Sequence, residues 1–240
     1  ADGYKKGTYL LDPANITIYG NVDPEFVSTD GSVDLASDLQ LWLDAADATQ
    51  ITLTFSDDSM GASQIDRTGA NTMETTTNVD LTQELVVGAK IRVGGAAGQT
   101  ALASDTSNAD TYTITAISYD GSKTVITTSE TISTAYDDQN VYRGLVSQWN
   151  DKAGTNHAVQ AIANKMPLWV SNGQNGLGTV KFSGSQQLEF STFSLGNNFS
   201  TFFSITPNAT NPVGIFDSAP ARQNVFRNYN TGSWELWSNS

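Results

Sequence analysis

Two glutamates, one histidine and a pair of tryptophans are the side chains of this chain whose settings first suggest chemistry. Glu189 lies in Leu188-Glu189-Phe190 and Glu235 in Trp234-Glu235-Leu236. A retaining glycosidase needs two carboxyl groups about 5 Å apart across the scissile bond. On one strand they would stand at alternating positions, yet each glutamate stands alone and no Glu-x-Asp-x-x-Glu pattern occurs. Different strands could still supply such a pair. His157 is the single histidine, and its neighbours Thr155 and Asn156 form no nucleophile elbow. Trp234 and Trp237 are three residues apart, so a strand points them to opposite faces. Sugar rings pack against exposed aromatic faces, which makes these two the predicted carbohydrate-binding residues. The alternative places both in the core, with a bend between them.

Composition bounds what those residues can serve. With 25 Asp+Glu against 12 Lys+Arg, the net charge is −13. Phosphate backbones must be met by Lys and Arg, so a nucleic-acid partner is not expected. An anionic membrane surface is disfavoured for the same reason. The charge suits a soluble extracellular protein and leaves carboxylates for divalent cations, although acidity also serves plain solubility. There is no cysteine, which excludes disulfides, thiolate zinc sites and cysteine nucleophiles. A single histidine excludes multi-histidine metal sites. No apolar run reaches the length of a membrane span. The opening Ala1-Asp2-Gly3-Tyr4 does not read as a signal peptide, so either a leader has been removed or the chain never had one.

The elements that position these residues are read as β-strands. Leu39-Gln40-Leu41 alternates and precedes a turn at Asp44-Ala45-Ala46-Asp47. Ile51 to Phe55 alternates cleanly, and Lys90 to Val93 ends at Gly94-Gly95. Thr111 to Ile117 and Thr124 to Thr127 flank Asp120-Gly121, a strong hairpin signal. Further strands are expected at Thr179 to Phe182, Leu188 to Phe190, Thr201 to Ile205 and Ser233 to Trp237. Many short strands between turn signals predict an all-β sandwich or barrel. All five tryptophans (Trp42, Trp149, Trp169, Trp234 and Trp237) lie outside 49–142, a stretch dense in Thr and Asp. Large aromatics dominate core burial. The flanks therefore predict one well-filled core holding Trp42 and Trp149, and the middle a separate, lighter β module.

Those flanks resemble a known family. Leu39-Gln40-Leu41-Trp42-Leu43-Asp44-Ala45-Ala46-Asp47 looks like the opening of bacterial and phage laminin-G-like, concanavalin A-like jelly-roll domains. Val146 to Gly154 and Asn156 to Gln160 resemble the next block of the family. Pro167 to Val170, Asn175 to Gly178, Val180 to Ser185 and Phe199 to Phe203 continue it in order. The similarity covers about half the chain. About ninety residues separate the first two blocks, which are usually close in the family; this implies a β module inserted in a loop. Two departures stand out. Lys152-Ala153-Gly154-Thr155 replaces a longer Gly/Asn run, and the chain stops at Ser240, short of a full sandwich. The missing strands are expected from a longer polypeptide, or else from a neighbouring subunit.

The resemblance implies an all-β fold: a concanavalin A-like jelly-roll sandwich interrupted by a small inserted β-barrel or β-sandwich module. The expected division is an extended arm over 1–37, a discontinuous jelly roll over 38–48 and 144–240, and the module over 49–143. Segment 7–18 is faintly similar to large secreted bacterial adhesins. The resemblance also implies calcium as cofactor, with Asp44, Asp47 and Asp151 as metal ligands; the alternative is that these aspartates cap turns. It gives His157 a structural hydrogen bond. The expected function is non-enzymatic carbohydrate recognition or adhesion at a cell or virion surface, with glycans as partners. One alternative is a structural subunit of a virion, surface layer or filament, a homo-oligomer completed by neighbouring strands. The other, a glycan hydrolase, rests on fold analogy.

Overall fold

The computed structural model describes residues 11–12, 15–16, 41–56, 64–94, 111–133, 137–191, 204–206, 213–216, 225–229 and 233–237. For 11–12, 15–16 and everything from 213 onward, only the backbone is described. The chain divides into two compact units, Ala1–Ser194 and Leu195–Ser240. The described residues form strands and turns, with two short 3-10 turns, Ala48–Gln50 and Ala163–Lys165, and no helix able to cross a membrane. The protein is all-β.

In the first unit, β1 (Leu11–Asp12) and β2 (Asn15–Ile16) form an antiparallel pair. Then come β3 (Ile51–Ser56), β4 (Gln64–Arg67), β5 (Thr72–Thr75), β6 (Lys90–Val93), β7 (Thr111–Tyr119), β8 (Thr124–Thr128) and β9 (Gln139–Trp149). They are followed by β10 (Ala158–Val159), β11 (Leu168–Gln174), β12 (Leu177–Lys181) and β13 (Glu189–Phe190). In the second unit, β14 (Val213–Phe216), β15 (Val225–Tyr229) and β16 (Ser233–Trp237) make an antiparallel three-stranded sheet in that order.

Most of the sequence-predicted strands form where alternation placed them. Leu41 to Leu43 differs: it carries one isolated bridge, Leu43 to Asp151, rather than a strand. Leu39, Gln40 and 201–203 lie outside the described residues, and Ser204 and Ile205, expected in a strand, are not in one.

Strand pairing closes a ring. β4 pairs with β5, β5 with β8, β8 with β7, β7 with β6, β6 with β9 and β9 with β4, all antiparallel. This is a six-stranded barrel, which leaves its own strands no free edge. The order β5-β8-β7-β6 is a Greek key, so the chain between β5 and β6 must pass β7 and β8. That connection sends Leu81 and Leu85 into the core. Alternation does the rest: Met73, Tyr112, Ile114 and Ile126 point inward from β5, β7 and β8. Buried hydroxyls also serve backbone groups of the connection. Thr124 accepts Leu81 N–H at 3.0 Å and donates to Val79 O at 2.6 Å.

The barrel corrects the reading that put the larger core with the tryptophans. Among the described residues, the main cluster is Ile65, Met73, Leu81, Leu85, Ala89, Ile91, Val93, Tyr112, Ile114, Ile126, Ile132 and Val141. It contains no tryptophan. A smaller cluster joins Leu145, Met166 and Leu168. Trp169 is buried, but Trp42 is 49% exposed. The barrel is filled at its inward strand positions by β-branched and aliphatic side chains together with Tyr112.

β9 leaves the barrel and continues as the central strand of a second ladder. Arg143 stands between Ser56 of β3 and Ile91 of β6, and Leu145 between Thr54 of β3 and Leu168 of β11. Residues 140 to 146 of this strand are buried. Gly144 marks the departure: a Cβ there would stand 3.1 Å from Lys90 O and 3.3 Å from Leu53 Cδ1. Past it, β10 joins at Gln148 and Trp149, and β11 carries β12.

Two turns of the barrel are tied by carboxylates. Asp120 accepts Ser122 N–H at 2.8 Å and Lys123 N–H at 2.9 Å, closing the β7–β8 hairpin; the Lys123 and Ser122 bonds hold its pKa at about 2. Glu130 accepts Thr113 N–H at 2.6 Å and the Thr113 hydroxyl at 2.7 Å. Burial pushes its pKa up, but these bonds and one from the Ser129 hydroxyl prevail and hold it at about 2, against an ordinary 4.5. A depressed carboxylate stabilises the fold above its unfolded pKa, and that contribution fades as pH falls through the folded value. Glu130→Gln should therefore be less stable than wild type at neutral pH, and the gap should close between pH 4.5 and 2. Denaturant melts at stepped pH check this; a gap that is constant with pH removes Glu130 from the acid response.

Candidate functional site

Asp151 organises the most elaborate surface in the described structure. It follows the end of β9, and its carboxylate is buried. Oδ1 accepts Trp42 N–H at 2.8 Å and Ala153 N–H at 2.9 Å, and Oδ2 accepts Asn156 N–H at 3.2 Å. The Ala153 bond is the local turn that aspartate favours. The Trp42 bond ties residues 109 apart in sequence. Around it, Lys152 N–H donates to Trp42 O at 2.8 Å and Asn150 N–H to Gln50 O at 2.7 Å. His157 accepts Asp151 N–H through Nδ1 at 3.0 Å, so its ring proton sits on Nε2. The structural hydrogen bond expected of His157 is therefore present.

This seam presents Trp42 to solvent on a fixed backbone. The Lys152 ammonium lies 4.8 Å from the centre of the indole ring. The same ammonium reaches Asp44 Oδ2 at 3.1 Å and Asp47 Oδ2 at 3.3 Å. Asp44 Oδ1 accepts Ala46 N–H at 3.0 Å. Asp47 caps the 3-10 turn Ala48–Gln50, accepting Thr49 N–H at 3.1 Å and the Thr49 hydroxyl at 2.6 Å. The Thr49 bonds, with Lys152 behind them, hold the Asp47 carboxyl below its ordinary range. Asp44 and then Asp47 push the Lys152 ammonium pKa up.

The loop is held from beneath by β11 and β12. Trp169 Nε1 donates to Ala45 O at 3.0 Å. Gly178 permits this approach, since a Cβ would lie 2.5 Å from Ala45 O and 3.0 Å from two indole atoms of Trp169. Trp42, Leu43 and Ala45 thus meet Asp151, Lys152 and Trp169 in space, across the gap that separates them in sequence.

Asp44 and Asp47 share the Lys152 ammonium, while the Asp151 carboxylate has backbone partners of its own. Asp151 directs both oxygens at backbone N–H groups, and Asp44 and Asp47 face an ammonium that supplies the neutralising charge. Calcium takes six to eight oxygens, and among the described residues no three His, Asp or Glu side chains group to hold a metal. Trp234 and Trp237 lie in β16, opposite Asn228 and Val225; their side chains lie outside the described residues. Glu189 sits exposed opposite Val159 and accepts Gln187 Nε2–H at 2.6 Å. Glu235 pairs with Arg227 in the second unit, and its side chain is likewise outside the described residues.

Sequence reasoning missed Trp42 as a surface residue and Lys152 as its partner. The available signal was Lys152 directly after Asp151 in Asp151-Lys152-Ala153-Gly154. No family model, curated protein or solved structure matches the chain.

Asp151→Ala would leave three N–H groups without their acceptor. It should destabilise the protein by about 2–4 kcal/mol, while Asp151→Asn recovers part of that; urea melts give both values. Added calcium or EDTA should leave the melting temperature of wild type unchanged. A rise with calcium that Asp151→Ala abolishes would establish a calcium site.

Proposed function

We propose that this chain is a non-enzymatic extracellular surface protein whose lectin-like jelly roll recognises carbohydrate, with the Trp42 shelf as the contact site. The observation that carries the reading is an indole 49% exposed on a backbone pinned by Asp151 and Lys152. A flat apolar face held rigidly in water, with hydroxyl acceptors beside it, suits a pyranose ring at low entropic cost. The acidic composition agrees with work outside the cell, and the lack of cysteine does not argue against it.

A second reading, a subunit of an extracellular assembly, draws on sheet edges. Among the described residues, β3 pairs only with β9 and β12 only with β11, and such edges are templates for another chain's strand.

The test is a glycan array probed with wild type and Trp42→Ala. Wild type should bind, and Trp42→Ala should lose at least about tenfold in affinity, as aromatic anchors do, with its melting temperature nearly retained. Equal binding by the variant would remove Trp42 from the site. Binding to no glycan, with ordered polymers seen by light scattering, would favour the assembly reading.

A further inference from the structure

We infer that the Trp42 shelf takes uncharged sugars and rejects uronates, sialic acids and sulfated glycans, because the Lys152 ammonium beside the indole is already neutralised by Asp44 and Asp47. The inference rests on the carbohydrate reading above and adds the ligand class and the residues that set it.

The rim of the shelf carries two carboxylates against one ammonium. Lys152 is the cation an acidic sugar would seek, and it is bound to Asp44 at 3.1 Å and Asp47 at 3.3 Å while lying over the Trp42 ring. An incoming anion must displace an aspartate from Lys152 or settle beside one. Both routes are unfavourable, and the shift of Lys152 and Asp47 toward their charged forms works in the same direction. The net charge of −13 adds a repulsive background. Physiological salt screens that background beyond about 8 Å, so the local pair decides.

The two aspartates have different parts. Asp47 is saturated: Oδ1 takes both Thr49 donors, and Oδ2 takes Lys152 together with a long bond from Gln50 Nε2 at 3.5 Å. Among the described residues, Asp44 accepts one bond at each oxygen, from Ala46 N–H and from Lys152. A carboxylate has about four acceptor positions, so one remains at each Asp44 oxygen. Asp44 is therefore the acceptor for sugar hydroxyls beside the indole, and Asp47 is a positioning residue that holds Lys152 in place. Neutral sugars supply those donors without bringing a charge.

The experiment uses the whole chain on an array of matched pairs: lactose with sialyllactose and sulfated lactose, and mannotriose with the mannuronate trimer. Wild type should favour the neutral member of any pair it binds, with little dependence on salt. Asp44→Asn/Asp47→Asn frees Lys152, so acidic members should gain roughly two- to fivefold, and added salt should erase the gain. A merely structural role for the aspartates would lower binding to both members alike. If the double variant does not fold, Asp44→Asn alone carries the test with the same expected direction. Preference of wild type for acidic members, or no gain in the folded variant, overturns the inference and leaves the carbohydrate reading standing. Binding to no member of any pair, or to other glycans on the array, overturns both.

Discussion

β9 must satisfy hydrogen bonds along both of its edges, and no single neighbour is long enough to do so. One edge is covered by β4 and then β3, the other by β6 and then β11 and β10. Unpaired backbone groups in a buried strand are costly, and residues 140 to 146 are buried. The handover between partners is therefore a structural necessity, and it occurs around Gly144, where β3, β6 and β9 approach so closely that a Cβ would make its neighbours give by a few tenths of an ångström. The barrel on one side of that glycine and the Trp42 seam on the other are both hung from one strand.

The junction also shows how charges are buried at tolerable cost. Arg92 and Arg143 are both buried beside it. Arg92 lies over the Phe55 ring at 4.3 Å, and Arg143 reaches Glu84 at 2.5 Å. Glu84 comes from the connection that also plugs the barrel with Leu81 and Leu85. A buried cation without such a partner would be strongly destabilising. The same logic, moved to the surface, gives Lys152 two carboxylates and an aromatic ring, which is what makes the shelf a candidate for selective contact.

Local patterns were legible wherever a side chain's fate depends on its nearest neighbours. Ile51 to Phe55, Lys90 to Val93 and the hairpin around Asp120-Gly121 formed as alternation and turn chemistry predict. His157 took a structural bond. What misled was size: five tryptophans suggested where the large core lies, but a closed ring of short strands is filled by Ile, Leu, Met and Val. Composition changes near residue 143, while β9 runs unbroken from Gln139 to Trp149.

By itself the sequence determined an all-β chain, its strand rhythm, its acidity and the exclusion of cysteine chemistry, because these follow from residue types and short spacings. Only the tertiary structure decided that six strands close on themselves, that Trp42 faces water, and that Asp44 and Asp47 surround Lys152. Each of those depends on pairings between residues far apart in the chain, such as Trp42 with Asp151 and Gln64 with Asn140. Registers of that kind are set by which burial and hydrogen bonding can be satisfied together, and no local pattern encodes them.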